Sequence, residues 1–305
     1  MIPDRTPRLD AEEMLAEVNR RTGAGLQLTG LADHGEVGAA YVRWPDRRAG
    51  VLTRTGATVE EVERTGRLLT RAAAAGVPVP AYQAIVDLGT ARALIQGRLR
   101  GAAPAQVDND LVRHLLDLVE TFAGLGDHAD DLELYLSSSG PGFCLHETLM
   151  SHDDRSRRLL ARVREIGLDG SCERGDDLVH LDFHPGNVLV QDGRVTGLVD
   201  WDGAARGDRR FALTTLSFDL SHRLRTRTGC HGLDRAGLGE VLDRMAGAPQ
   251  QPLRRWWAHM SLRQVDWSIR HAHGAAVVDW YQTIAERGLD RLDAGRSIRC
   301  EDLVD

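Results

Sequence analysis

The sequence predicts an α+β protein of two lobes: a small antiparallel sheet with one helix, then a larger, mainly helical lobe. Three observations predict it. Strand-like runs punctuated by glycine fill residues 26–99, with one amphipathic helix among them. Past a cluster of Gly97, Gly101 and Pro104 the apolar spacing becomes helical. Two short strand-like runs between Val179 and Gly203 interrupt that helical region, and both carry carboxylates or amides at their ends.

The elements follow in order. "TPRLDAEEMLAEVNRRTG" reads as a short amphipathic helix, with Leu9, Met14, Leu15 and Val18 on one side. "LQLTGLADHGEVGAAYVRWP" alternates strand and glycine, and "AGVLTRTG" is a further strand. "TVEEVERTGRLLTRAAAAG" is a helix with a stripe of Val59, Val62, Leu68 and Leu69, stopped by "VPVP". "AYQAIVDLG" and "ARALIQGRL" form a hairpin. Helices are then expected over "DNDLVRHLLDLVETFAGLG" and "DDRSRRLLARVREIG". After the polar strand pair come "RRFALTTLSFDLSHRLRTRTG", "GLGEVLDRMAG", "PLRRWWAHMSLRQVDWSIRHAHG" and "AVVDWYQTIAERGL". The boundary divides an N-terminal lobe, residues 1–97, from a C-terminal lobe, residues 98–305.

Composition narrows the function. The 305 residues are 42% hydrophobic, as expected of a folded protein. A net charge of −7 argues against a nucleic-acid or anionic-membrane partner. Every basic residue is arginine, so a step that ordinarily uses lysine must use arginine or nothing. Cys144, Cys172, Cys230 and Cys300 are far apart and make no CxxC, which suits reduced thiols in a cytoplasm. The N-terminus shows no apolar signal core, and no apolar run reaches membrane-spanning length.

"HLDFHPGN" has the spacing H-x-D-x-x-x-x-N, with His180, Asp182 and Asn187. Phosphoryl transfer needs a carboxylate to orient and deprotonate the attacking hydroxyl, and oxygen ligands to hold Mg²⁺ on nucleotide phosphates. Asp182 suits the first task and Asn187 the second. A strand later, "VTGLVDWD" presents Asp200, eighteen residues after Asp182, a gap that suits a tight hairpin. A rival reading makes His180, Asp182 and His184 alternate along a strand around one metal, as in a metal-dependent hydrolase. Pro185-Gly186 ends any such strand, and no distant H-x-H or C-x-x-C adds ligands.

The stretch "HLDFHPGNVLV … GLVDWDGAARGDRRFAL" resembles the aminoglycoside phosphotransferase family, and more broadly the choline-kinase-like branch of the protein-kinase-like fold. That family's pattern is like "HGDLHPGNVLV … GVIDWDxAxxGDPxxDLA". Leu181 stands where glycine is commoner, and "RRFAL" departs from the usual Asp-Leu-Ala after Asp208. The order of lobes, hinge, polar hairpin and last helices agrees over most of the chain. The resemblance implies a bilobal protein-kinase-like fold, Asp182 as base, and Asn187 and Asp200 as Mg²⁺ ligands. Asp202 assists the metal or the substrate, His180 and His184 brace the loop, and Asp208 is structural.

The same resemblance implies ATP or GTP as donor and a nucleotide-covering loop holding Gly30, Gly35 and Gly38. Kinases place lysine on the next strand, paired with a helix glutamate. Arg54 is the candidate substitute, gripping phosphate oxygens, with Glu63 as partner, or Glu60 or Glu61 in a shifted register. Thr53 occupies the lysine register in an alternative alignment that leaves no cation there. Main-chain groups from Gln96 to Arg98 would face the base. For the acceptor, Trp256, Trp257, Trp267, Trp280 and Tyr281 cluster in the last helices, beside Asp266 and Asp279. Aromatic walls with carboxylates suit a sugar or an amine-bearing antibiotic. The candidates for substrate contact are therefore Asp202, Asp266, Trp267, Asp279 and Trp280. The expected activity is phosphorylation of an aminoglycoside or another hydroxylated antibiotic. A metabolic kinase for choline, homoserine, methylthioribose or a sugar is the alternative, and a dead nucleotide-binding protein a more distant one.

Overall fold

The computed structural model describes residues 9–32, 38–169 and 175–305. Helix α1 (Ala11–Thr22) starts where the Asp10 carboxylate accepts the Glu13 N–H, and stops at Gly23 in the left-handed region (φ 65°). Five strands follow: β1 (Gln27–Leu31), β2 (Ala40–Arg43), β3 (Ala49–Thr55), β4 (Tyr82–Asp87) and β5 (Arg92–Gly97). They form one sheet in the order β1-β2-β3-β5-β4, antiparallel throughout. Side chains alternate across a sheet, so pairing register sorts them by face. Leu52, Ala93, Ile95 and Val86 share one face and build a core with Leu15 and Val18 of α1. Val51, Thr53, Thr55, Gln96 and Tyr82 take the other face, towards the helical lobe.

Helix α2 (Val59–Ala74) opens with a capping box between Thr58 and Glu61. Its buried face (Val62, Leu68, Leu69, Ala72) sends the last three of these residues into the main core of the protein, with Val77 and Val79. "VPVP" therefore does more than end a helix. The Pro78 carbonyl accepts the Leu198 N–H at 2.7 Å, which straps the small lobe to the large one.

After Gly97 the chain passes a bridge between Ala102 and Val190 and enters α3 (Asn109–Glu120), capped by the Asp108 carboxylate on the Leu111 N–H. A two-residue strand, β6 (Asp130–Asp131), precedes α4 (His146–His152) and α5 (Asp154–Gly167). Helix α4 was not expected. It is seven residues long, follows "SSSGPGF", and has no side-chain cap to announce it. Next come β7 (Asp177–Val179), the hairpin β8 (Val188–Gln191) and β9 (Arg194–Leu198), and β10 (Ala205–Gly207). "VHLDFHPGNVLV", expected as a single strand, is two strands in different sheets. β7 pairs with β10, β8 pairs with β9, and the polar residues fill the loop between. Helices α6 (Ala212–Thr226), α7 (Arg235–Ala246), α8 (Gln250–Arg270), α9 (Ala275–Asp293) and α10 (Cys300–Val304) complete the lobe. No helix among the described residues is long and apolar enough to cross a membrane.

Among the helices, α8 and α9 share the most extensive contact. Trp256 and Trp257, expected near the acceptor, are wholly buried there. A Cβ added at Gly288 would meet the Trp257 indole well inside van der Waals contact. Overpacking a core costs about 1–3 kcal/mol. Gly288→Ala should therefore lower Tm measurably in a thermal scan, while Gly274→Ala, whose Cβ would have nothing within 4 Å, should not.

Candidate active site

The loop after β7 is held by one imidazole. His180 is buried, accepts the Asp182 N–H on Nδ1 at 3.2 Å, and donates from Nε2 to the Val199 carbonyl at 3.0 Å. Burial pushes its pKa down to about 4, so the ring is neutral and this pattern of one acceptor and one donor is self-consistent. Trp201 packs edge-on against it with centroids 4.6 Å apart. With both nitrogens engaged, His180 has no lone pair for a metal, which removes the hydrolase reading. Pro185–Asn187 forms a 3₁₀ turn, in which His184 Nδ1 accepts the Gly186 N–H at 3.1 Å. The Asn187 carbonyl then accepts the Val199 N–H at 2.9 Å, which sets Asn187 beside Asp200.

The side chains converge on this frame. Asn187 Nδ2 donates to the Asp182 carbonyl at 2.9 Å and to Asp182 Oδ2 at 3.3 Å, so its Oδ1 is left to face a cation. Asp182 Oδ1 accepts from Arg263 Nη2 at 2.8 Å, and His184 Nε2 stands 3.5 Å from Oδ2. Burial works to raise the Asp182 pKa, but the Arg263 guanidinium and the His184 ring override it and hold the carboxyl well below the usual carboxylate range. Burial works to lower the His184 pKa, but Asp182 overrides it and raises it above the usual imidazole value. Asp200 takes a left-handed backbone (φ 64°) at the mouth of the cleft. Surrounding protein first, then the charges of Asp182 and Asp202, push its pKa up to about 6. Burial also raises that of Asp202, against the hydrogen bond that Thr55 of β3 gives it.

A buried carboxylate whose pKa two neighbouring carboxylates raise further is a group that a bound cation would favour in its ionised form. The donors are all oxygen: Asp200, Asn187 Oδ1 and the neighbouring Asp202. That set suits a hard divalent ion such as Mg²⁺ completed by phosphate oxygens. Among the described residues no three His, Cys, Asp or Glu side chains form a closed protein cage.

Several expected nucleotide contacts fall elsewhere. Arg54 shares its strand face with Leu52 and Ala93, the α1 side, so it does not take the lysine position in the cleft. Thr53 takes the cleft-facing register, its hydroxyl accepting from Gln96 Nε2 at 3.2 Å. Glu63 lies exposed on α2, 3.9 Å from Arg67, so it cannot serve as the inward-facing partner. Arg98 stacks its guanidinium on Tyr41 with 3.9 Å to the ring centre, and its N–H turns to the Ala49 carbonyl at 3.4 Å. Gly38 leads into β2 with φ 84°, whereas Gly35 lies outside the described residues.

The acceptor candidates also divide. Asp266 is fully buried and spends its carboxylate on the Leu145 N–H at 2.8 Å, tying the loop before α4 to α8, so a diffusing substrate cannot reach it. Asp279 is exposed on α9 and paired with Arg155. Trp280 is buried against Tyr281 and His222. Trp267 is partly exposed, stacked with His273 at 4.4 Å, and lies one helical turn from Arg263. Asp208 caps the turn after β10 by accepting the Arg210 N–H at 2.9 Å, and the unusual "RR" is used too, since Arg209 pairs with Glu120 and Asp177. Sequence reasoning missed Arg263. The available signal was an arginine among Met260, Leu262 and Val265, in a helix buried nearly all round, where a charge must find a partner.

A small antiparallel sheet above a mainly helical lobe, with Asp182, Asn187 and Asp200 gathered on the loops between them, defines the protein-kinase-like class. Residues 34–248 match the model of the phosphotransferase enzyme family, and the chain belongs to that family. It is 28% identical over 96 residues to hygromycin-B 4-O-kinase of Escherichia coli, a match spanning 31% of this chain and 28% of that relative's length. It shares its fold with a thermostable mutant of an aminoglycoside phosphotransferase in ternary complex with ADP and hygromycin B. That likeness has a TM-score of 0.61 and 19% identity, over 94% of this chain and all of that one. A macrolide 2′-phosphotransferase from Brachybacterium faecium matches at TM-score 0.50 and 17% identity, over 89% of this chain and 97% of that one.

Because folding raises the Asp200 pKa from the ordinary aspartate range to about 6, the stability from that proton is full below about pH 4 and lost as pH rises through about 6. Asp200→Asn should raise the Tm of protein kept in chelator at pH 8 and leave it nearly unchanged at pH 4. Thermal scans at the two pH values read the difference.

Proposed function

We propose that the chain transfers the γ-phosphoryl group of ATP or GTP to a hydroxyl of a small hydroxylated antibiotic, an aminoglycoside or a compound of similar character. The observation that carries this reading is the convergence of Asp182, Asn187 and Asp200 through the Asn187–Val199 and His180–Val199 hydrogen bonds. Asp182, held ionised, orients the acceptor hydroxyl and takes its proton as the new O–P bond forms and the bond to the nucleoside diphosphate breaks. Asn187 Oδ1 and Asp200 would hold Mg²⁺, which neutralises phosphate charge. Thr53 and Gln96 line the roof where kinases present lysine, so the small lobe offers hydroxyl and amide groups at that position. The complex of a structural neighbour with ADP and hygromycin B supports the pairing of nucleotide and hydroxylated antibiotic.

The test is a screen of nucleoside diphosphate release across aminoglycosides, macrolides and small alcohols, with ATP and GTP in turn. Antibiotic-dependent release is expected, and release only with a metabolic alcohol would overturn the antibiotic reading. Removing a positioned general base costs about 10²–10⁴ in rate. Asp182→Ala should therefore lose turnover by that order while a thermal scan still shows a cooperative transition at a lowered Tm, since the Arg263 pair is lost, and full activity in that variant would remove Asp182 from the base role.

A further inference from the structure

Arg263, in α8, grips the loop at two consecutive residues from a position 81 residues away. Its Nη1 donates to the Leu181 carbonyl at 2.7 Å and its Nη2 to Asp182 Oδ1 at 2.8 Å. One planar guanidinium thus fixes both the peptide path and the carboxylate. Thr215 of α6 adds a hydrogen bond to the same Leu181 carbonyl at 3.3 Å. The contacts on the other oxygen are longer, 3.3 Å from Asn187 and 3.5 Å from His184. The two oxygens of Asp182 are therefore unequal: Oδ1 accepts the short guanidinium bond, and Oδ2 carries only the two longer contacts.

A carboxylate on an aspartate turns broadly about its last torsion, so nothing in Asp182 itself distinguishes its oxygens. We propose that Arg263 is a positioning residue for the phosphoryl transfer put forward above, and that it aims Oδ2 of Asp182 at the acceptor. The proposal rests on the assignment of Asp182 as base. Arg263 keeps Oδ1 throughout, and the acceptor's proton passes to Oδ2 as the O–P bond forms. Lysine carries the charge but presents a single point, so it can hold the carboxylate or the Leu181 carbonyl and not both in one plane. The small lobe sets no cation on the cleft face of β3, so α8 supplies the guanidinium beside the base.

The experiment measures nucleoside diphosphate release, with hygromycin B as probe acceptor and with water alone, for Arg263→Ala, Arg263→Lys, Asp182→Ala and the double variant. Misplacing a reacting group by about 1 Å costs roughly 10²-fold. Arg263→Ala should lose kcat on that scale with the nucleotide KM unchanged, and Arg263→Lys should recover part of it. Guanidinium salt added to Arg263→Ala should also restore rate. In the Asp182→Ala background the second substitution should cost nothing further, because its effect runs through the carboxylate. An equal loss in both backgrounds, or no loss in either, overturns the proposal. Should Arg263→Ala fail to fold in a thermal scan, Arg263→Gln and Arg263→Lys carry the same comparison. A wild type without turnover on hygromycin B and on every acceptor of the screen above, or Asp182→Ala with full turnover, sinks the assigned function and this proposal with it. An active Arg263→Ala beside a dead Asp182→Ala sinks this proposal alone.

Discussion

The imidazole of His180 spans two backbone groups from different segments, the amide of Asp182 and the carbonyl of Val199. Neither segment has regular structure at that point, so its polar groups would be orphaned beneath the cleft without a side chain that both accepts and donates. A neutral histidine does both, and burial keeps it neutral. The chain leaving β7 and the chain leaving β9 are thereby held side by side, and Asp182, Asn187 and Asp200 are brought together. Trp201 and Phe183 close around the ring and keep water from competing for its bonds.

On that frame the site is an exercise in charge. Asp182 and Asp202 stand close enough to Asp200 to raise the cost of ionising it, on top of its burial. Arg263 and His184 relieve Asp182, and Asp200 is left with its proton held unusually tightly. The unequal treatment separates two neighbouring carboxylates: Asp182 is held ionised, and Asp200 keeps its proton to a higher pH than an ordinary aspartate.

Much of this was legible in the sequence. The α+β order of the elements and the family resemblance carried by the polar hairpin follow from periodicity, breakers and spacing, which are local properties. What escaped depends on long-range packing. Arg54 and Thr53 are neighbours, and only the pairing register with β5 decides which one faces the cleft. Asp266 and Asp279 look alike beside their tryptophans, yet one is sealed under a loop and the other is paired on the surface. Arg263 has no motif at all, since its partner lies 81 residues away.

The core has a consequence for how the chain is made. Leu68, Leu69 and Ala72 of α2, with Val77 and Val79, belong to a hydrophobic cluster whose next member in sequence is Val107. The boundary at Gly97 is thus a boundary of shape and not of folding. A ribosome adding roughly 5–20 residues per second leaves that apolar stripe bare until the helical lobe begins to emerge. The roof of the cleft is finished only after its floor, so a nascent chain halted at the hinge is an assembly intermediate with a sticky underside.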